Sequence, residues 1–283
     1  MANTRAIEDR GARGLEVPRR LSLAGGVDPT RSIYLFEDFI TDHIAEDSNV
    51  VVNQSGTPTT AAAILATAGA PTAGHGGWIA GSVDNVDDEI DEVALGAKPW
   101  LVPAAVGTGL VVAEIGFVIP TALTARGYFV GLGDAETGGA DDDGMLSIST
   151  GITLVSGATG DAAGFVMSSL ATDADGWYTG AVKATAVGTA LNVTTSSEGP
   201  SNVGPAVVDD YTKLRVEVDV NGSCYFYGIV SGAGQRSVVP TFCDFQNAAI
   251  TAAAVLEPIF SARSTTTTAV EWEIDYMYGG VAA

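Results

Sequence analysis

The chain has 283 residues, 46% hydrophobic and 17% charged, with a formal net charge of −21 at pH 7 and two cysteines. That length can bury a sizeable core as one large all-β domain or two smaller ones. No apolar run approaches the roughly 18 residues of a membrane-spanning helix, and an acidic body repels phosphates, which argues against membrane and nucleic-acid partners. Cys224 and Cys243 are too few for a disulfide framework and read as free, partly buried thiols.

Residues 1–32 read as an extended arm. Gly11, Gly14, Pro18, Gly25, Gly26 and Pro29 interrupt any apolar period, leaving only a weak helix near Thr4–Arg13. Arg5, Arg10, Arg13, Arg19, Arg20 and Arg31 outnumber Glu8, Asp9, Glu16 and Asp28, so a basic arm precedes an acidic body. Such a segment can dock on an acidic partner or stay solvated. The start MANTRAIEDR has no apolar stretch of the kind a secretory signal needs, so export by that route is not expected.

At Ser32–Ile40 the chain turns aromatic and β-branched, and one domain is expected over residues 33–283. From Asn49 onward short apolar runs alternate with Gly, Pro, Asn and Asp, the spacing of a sandwich or barrel. Expected strands are Val50–Asn53, Ala61–Ala68, Gly77–Ser82, Glu89–Leu95, Leu110–Ile119, Tyr128–Leu132, Met145–Ser149, Gly164–Ser168 and Trp177–Lys183. Further on come Ala186–Val193, Val207–Val220, Ser223–Val230, Val255–Ala262 and Ala269–Tyr278. The Ala-rich stretch Phe245–Ala254 is a helix candidate. No internal repeat aligns at a fixed period, which disfavours solenoids and propellers.

The strongest local signal is Val207–Val230, two β-prone runs joined by Asn221-Gly222, the residues of a type I′ hairpin turn with positive φ at both positions. In the first run Leu214, Val216, Val218 and Val220 alternate with Lys213, Arg215, Glu217 and Asp219, giving one apolar and one charged face. The apolar face is expected to be covered by an opposing sheet, with Val111–Ile119 and Val270–Tyr278 as contributors. The charged face is expected to meet solvent or a sister subunit.

Several constellations could carry chemistry. On a strand Glu271, Glu273 and Asp275 share one face, the arrangement that paired-carboxylate glycoside hydrolysis requires. The bland reading is a solvated acidic face alternating with Trp272, Ile274 and Tyr276 in the core. The loops Asp84–Glu89 and Asp134–Asp143 could supply hard oxygen ligands to Ca²⁺, though neither has EF-hand spacing. His43 and His75 are the only histidines and have no cysteine near them, so a zinc site or a Ser-His-Asp triad is not expected. Tyr225, Tyr227, Trp177 and Tyr178 could form a carbohydrate-stacking platform.

The order of features resembles a concanavalin A-like (lectin/glucanase) jelly roll found in structural proteins of tailed bacteriophages. The resemblance runs through Phe36-Glu37-Asp38-Phe39, His75-Gly76-Gly77-Trp78-Ile79, Val111–Ile119, Tyr128–Asp134, the Asn221-Gly222 hairpin and the closing Ile274-Asp275-Tyr276. The Glu273-Ile274-Asp275 segment is similar to the Glu-x-Asp-x-x-Glu strand of family 16 laminarinase-like glucanases, but Tyr278, or Met277 in the other register, stands where that family has its second glutamate. The resemblance implies a jelly-roll β-sandwich with an N-terminal arm and no enzyme activity. It further implies a capsid decoration (cement) protein on the virion surface, assembled in the host cytoplasm. Its arm arginines would contact the major capsid protein, and it would be a homo-oligomer, a trimer being favoured. The alternatives are a carbohydrate- or receptor-binding module of a phage head or tail fibre, and, third, a major coat protein or a glucanase-like hydrolase. No cofactor is expected beyond the Ca²⁺ the acidic loops could hold.

Overall fold

The computed structural model describes residues 33–37, 51–54, 79–83, 90–95, 100–101, 110–120, 123–134, 146–156, 160–184, 186–188, 190–194, 202–232, 239–252 and 254–282. Among them are eighteen strands and no helix. In chain order these are β1 Ile33–Glu37, β2 Val51–Gln54, β3 Ile79–Val83, β4 Ile90–Ala94, β5 Trp100–Leu101, β6 Leu110–Val118, β7 Arg126–Asp134, β8 Leu146–Thr150 and β9 Thr153–Ser156. They continue with β10 Ala162–Ser168, β11 Tyr178–Lys183, β12 Ala186–Val187, β13 Leu191–Asn192, β14 Tyr211–Val218, β15 Cys224–Ser231, β16 Thr241–Gln246, β17 Val255–Ser264 and β18 Val270–Ala282. The expected strand Ala61–Ala68 and the arm arginines lie outside the described residues.

Two antiparallel sheets face each other. The seven-stranded sheet runs β1-β18-β6-β14-β15-β16, with β3 also paired to β18. The nine-stranded sheet runs β12-β11-β10-β7-β17-β4-β2, with β13 on β11 and β5 on β17. Val111, Ala113, Ile115 and Phe117 of β6 join Leu214, Val216 and Val218 of β14 and meet Tyr128, Val130, Leu132, Phe165 and Phe260 of the other sheet in one core. Phe117 sits edge-on to Trp177 at 5.8 Å and to Phe260 at 5.3 Å, and Phe165 to Phe226 at 5.6 Å, ring geometries that add to simple burial.

The apolar face of β14 is thus covered as expected, but by different strands. β6 and β18 are not opposite β14; β6 is its hydrogen-bonded neighbour and β18 lies next to β6 in the same sheet. The cover of β14 comes from β7 and β10. The outer side of the nine-stranded sheet carries a second layer, where Leu146, Ile148 and Leu154 of the β8–β9 hairpin pack on Phe129, Val166 and Tyr178. Gly180 makes that approach possible, since a Cβ there would lie 2.4 Å from Leu154.

Several local expectations change. Phe245–Ala254 is not helical: β16 holds Phe245 opposite Tyr225, and Ala248 has a left-handed φ of 48° in the turn that follows. Ala186–Val193 divides into two short strands, and residues 207–210 turn before β14 begins. In the β14–β15 hairpin only Gly222 has positive φ, at 77°. The connection is therefore not a two-residue type I′ turn. The Gly222 amide donates to the Asp219 carbonyl at 2.9 Å and the Asp219 amide to the Ser223 carbonyl at 3.0 Å, which makes Val220-Asn221-Gly222 a three-residue loop closed by a left-handed glycine. The Asp219 carboxylate accepts from the amides of Asn221 at 2.8 Å and Ser223 at 3.0 Å, satisfying two donors that the ladder leaves over.

Gly222 is pinned from outside as well. The Ile250 amide donates to its carbonyl at 3.0 Å, and a Cβ on Gly222 would lie 2.2 Å from the Ile250 carbonyl oxygen. Gly222→Ala combines a left-handed φ with that clash and is expected to cost about 2 kcal/mol or more. Urea unfolding checks this: the midpoint should fall at unchanged slope, and an unshifted midpoint would refute the turn geometry.

Candidate functional site

The outward face of the seven-stranded sheet carries the densest chemistry among the described residues. On β14 the residues Tyr211, Lys213, Arg215 and Glu217 point away from the core. Ladder pairing places Arg215 between Glu114 of β6 and Tyr227 of β15, with Tyr278 of β18 beyond Glu114. Contrary to the expectation of a solvated charged face, Lys213 is 2% exposed, Arg215 6%, Glu114 2% and Glu217 2%. The central position of β14 and the surrounding tyrosine rings account for this burial.

Buried charges persist only when paired, because desolvation of a lone ion costs several kcal/mol. The pairing here is extensive. Arg215 bonds Glu217 through one terminal nitrogen, lies 3.8 Å from Glu114 through the other, and stacks 5.7 Å from the Tyr227 ring centre. The Lys213 ammonium sits 5.5 Å from the Tyr276 ring and 5.9 Å from Tyr211, held by the negative faces of both. Tyr276 donates its hydroxyl to Glu114 at 2.5 Å, and Tyr211 donates to Asp275 at 2.8 Å. Gly116 lies beneath both rings; a Cβ there would be 2.1 Å from the Tyr211 hydroxyl and 2.5 Å from the Tyr276 ring.

A β-bulge places Tyr276 on this face. Between Ile274 and Tyr276 the β18–β6 register slips by one residue, so Trp272, Ile274 and Met277 face the core while Tyr276 and Tyr278 turn outward. Simple alternation assigns Tyr276 to the core, and the bulge overturns that. Of the three carboxylates read as a shared face, Glu271 is exposed, Glu273 half-buried and Asp275 buried at the slip, bonded to Tyr211.

Towards the sheet edge the same face opens to solvent. Tyr225 and Tyr227 of β15 are half-buried, as is Phe242 of β16, and Phe245 is 45% exposed. Tyr225 and Phe245 lie 4.9 Å apart and Tyr227 and Phe242 5.5 Å apart, forming two cross-strand pairs. A second bulge, opposite Phe226/Tyr227, inserts a residue in β16 so that Phe242 and Phe245 share one face despite their three-residue spacing. Carboxylates border the strip: Tyr225 donates to Asp219 at 3.4 Å and Tyr227 to Glu217 at 3.3 Å. Asp244, turned the other way, accepts from Thr179 of the opposite sheet and from the Gln246 amide at 3.1 Å, clasping the edge strand to the second sheet.

The proposed four-ring platform does not assemble. Trp177 is fully buried in the main core, and Tyr178 is fully buried beneath the β8–β9 hairpin on the other sheet. Tyr225 and Tyr227 instead pair with Phe242 and Phe245. Spacing that shows only after a bulge hid the phenylalanines, and Glu114 carries no local motif. Cys224 and Cys243 are buried free thiols; the Cys243 thiol donates to the Phe226 carbonyl at 3.3 Å, and burial pushes both thiols up in pKa. Among the described residues no group of three or more His, Cys, Asp or Glu is placed to hold a metal ion. The loop Asp84–Glu89, residues 135–143, His43 and His75 lie outside those residues.

Neither a protein-family model nor a curated protein sequence matches the chain. Its backbone is similar to that of peanut lectin, solved with a nine-residue peptide, at a TM-score of 0.52 and 11% identity over 89% of this chain and 97% of that one. Arcelin-5, a lectin-like defence protein from Phaseolus vulgaris, aligns at 0.50 and 9% identity over 89% of this chain and 99% of its own. A seed lectin isoform from Lotus tetragonolobus aligns at 0.50 and 10% identity over 88% and 98%. The likeness is one of fold, a concanavalin A-like jelly roll of two antiparallel sheets.

The tyrosines of this face are held in their neutral form. Burial, followed by the Glu114 carboxylate, raises Tyr276 well above its ordinary value. Burial and Glu217 push Tyr227 up to about 12, with Arg215 pulling the other way. The folded state therefore keeps these protons longer than the unfolded chain, whose tyrosines titrate near pH 10. The stability Tyr227 contributes is present below about pH 10 and is lost as the pH climbs through about 12. Alkaline absorbance titration of the wild type and Tyr227→Phe, followed alongside circular dichroism, checks this. Tyr227 should ionise only at or beyond the onset of unfolding; ionisation near pH 10 in the folded protein would refute the arrangement.

Proposed function

We propose that this chain, a concanavalin A-like jelly-roll sandwich, is a non-enzymatic binding module, and that its contact surface is the strip formed by Tyr225, Tyr227, Phe242 and Phe245 with a carbohydrate as ligand. The observation that carries the reading is the strip itself: paired rings, partly exposed, on a rigid sheet and bordered by the carboxylates of Asp219 and Glu217. Ring faces suit the apolar faces of sugars, and a few placed acceptors orient hydroxyl groups. The fold shared with the peanut and Lotus seed lectins supports the reading by analogy. The inner charges serve as a scaffold, since Arg215 and Lys213 are committed to Glu114, Glu217 and the tyrosine rings.

Glycan-array screening followed by titration of a hit tests the proposal. Tyr225→Ala and Phe245→Ala should each weaken binding about tenfold or more, as loss of a central aromatic contact does at other interfaces, while circular dichroism stays unchanged. A blank array, or affinity indifferent to both substitutions, would refute it.

A second reading, a decoration protein of a virion surface, draws on a different observation. The arginine-bearing arm is net basic while the chain as a whole stands at −21, a separation suited to attachment by one end and mutual repulsion at the other. The resemblance to phage jelly rolls supports it. In this reading Arg5, Arg10, Arg13, Arg19, Arg20 and Arg31 contact the major capsid protein, and the chain assembles as a trimer. Deleting residues 1–31 should then abolish co-sedimentation with capsids while leaving the sandwich folded; undiminished attachment would exclude the arm as the tether.

A further inference from the structure

We propose that the ligand of the aromatic strip carries protonated amines, an oligosaccharide of amino sugars rather than of acidic or neutral ones; the inference rests on the carbohydrate reading above and specifies its chemistry. The strip is open to solvent where its rings lie, and the charges nearest those rings are unequal in what they offer. Asp219 stands at the end of β14, half-buried, with its carboxylate facing the Tyr225 hydroxyl at 3.4 Å. Glu217 faces the Tyr227 hydroxyl at 3.3 Å. Each tyrosine spends its one proton on a carboxylate; Glu217 is buried and bonded to Arg215, so half-buried Asp219 is the carboxylate within a ligand's reach, and Glu217 adds only its charge.

The two cations of the face do not offset this. Arg215 is covered by Tyr227 and bonded to Glu217, with Glu114 beside it, and Lys213 lies between two rings; both are buried. Across the face Glu114, Glu217, Asp219 and Asp275 outnumber Lys213 and Arg215. The local field is negative, in keeping with the raised pKa values of Tyr225 and Tyr227, to which Asp219 and Glu217 contribute. An acidic sugar would bring a carboxylate against Asp219 at a Coulombic cost. A neutral sugar would gain only stacking and hydroxyl bonds. An ammonium group gains twice, from a carboxylate and from the ring beside it, because the face of an aromatic ring attracts cations.

The test uses the full chain and three probes of matched length: a fully deacetylated glucosamine oligomer, its fully N-acetylated counterpart and an oligouronate, each titrated calorimetrically at low and at physiological ionic strength. The deacetylated oligomer should bind roughly tenfold more tightly than the acetylated one, the preference shrinking with salt, and the oligouronate should not bind. Asp219→Asn keeps an acceptor for the turn amides and should erase most of the preference while acetylated-oligomer affinity holds; should that variant unfold, the salt series on the wild-type chain decides, and a preference unmoved by salt would overturn the inference. Equal affinity for the amine and acetamide probes would overturn the amine preference and leave the carbohydrate reading standing. Binding of none of the three would overturn the amine preference, while the glycan array decides the carbohydrate reading by itself. Binding of an oligolysine peptide with all sugars silent would overturn the inference in favour of a basic protein partner.

Discussion

Successive residues of a β-strand face opposite sides of a sheet, and one extra residue reverses the assignment of everything beyond it. That constraint governs both halves of the outward face described above. On β18 the slip between Ile274 and Tyr276 sends Tyr276 and Tyr278 outward while Met277 replaces them in the core. On β16 the slip opposite Phe226/Tyr227 puts Phe242 and Phe245 beside Tyr227 and Tyr225. Without the first bulge Glu114 would have no Tyr276 hydroxyl and Lys213 would lose one of its rings. Without the second, one of the two phenylalanines of the strip would be turned into the sandwich.

The charged residues of β14 have a structural consequence beyond pairing. A sheet face covered only by aliphatic side chains can repack in many ways, whereas an arginine shared between Glu114 and Glu217 and stacked on Tyr227 admits few. Removing one partner would strand a buried charge at a cost of about 3–5 kcal/mol, so the network is either complete or strongly destabilising. Its completeness fixes the positions of Tyr227 and Glu217, which belong to the strip as well as to the network. Scaffold and contact surface thus share residues.

Much of this was legible before any coordinates. The period-2 pattern from Lys213 to Val218 assigned inner and outer residues of β14 correctly, and the sharing of one face by Tyr225 and Tyr227 followed from the same rule. What stayed hidden had physical causes. Neither bulge is marked by glycine or proline: Asp275 reads as ordinary strand, and the Cys243-Asp244 step lies just before a run whose alanines suggest a helix. The turn contains the Asn-Gly pair of a type I′ hairpin, but the Asp219 side chain, by bonding two turn amides, favours a longer loop in which only Gly222 is left-handed. The burial of Lys213 depends in part on Tyr276 from β6's other neighbour, β18, distant in sequence. Strand order, which decides that β6 flanks β14 and does not oppose it, leaves no trace in local pattern.

The aromatic strip lies on β15 and β16, and β16 ends the sheet's strand path, where a ladder is satisfied on one side only and fraying is cheapest. A contact surface on a fraying strand would have to be ordered by its ligand, at a cost in affinity. Here the edge is tied across the sandwich. Asp244, from the same bulge that aligns Phe242 and Phe245, accepts from Thr179 of β11 and from Gln246, and Gln246 reaches Thr179 at 3.4 Å. One side of the bulge therefore presents rings while the other anchors the strand to the opposite sheet. The bulge that makes the strip also carries the residue that holds it still, which is why an edge strand can bear the exposed rings.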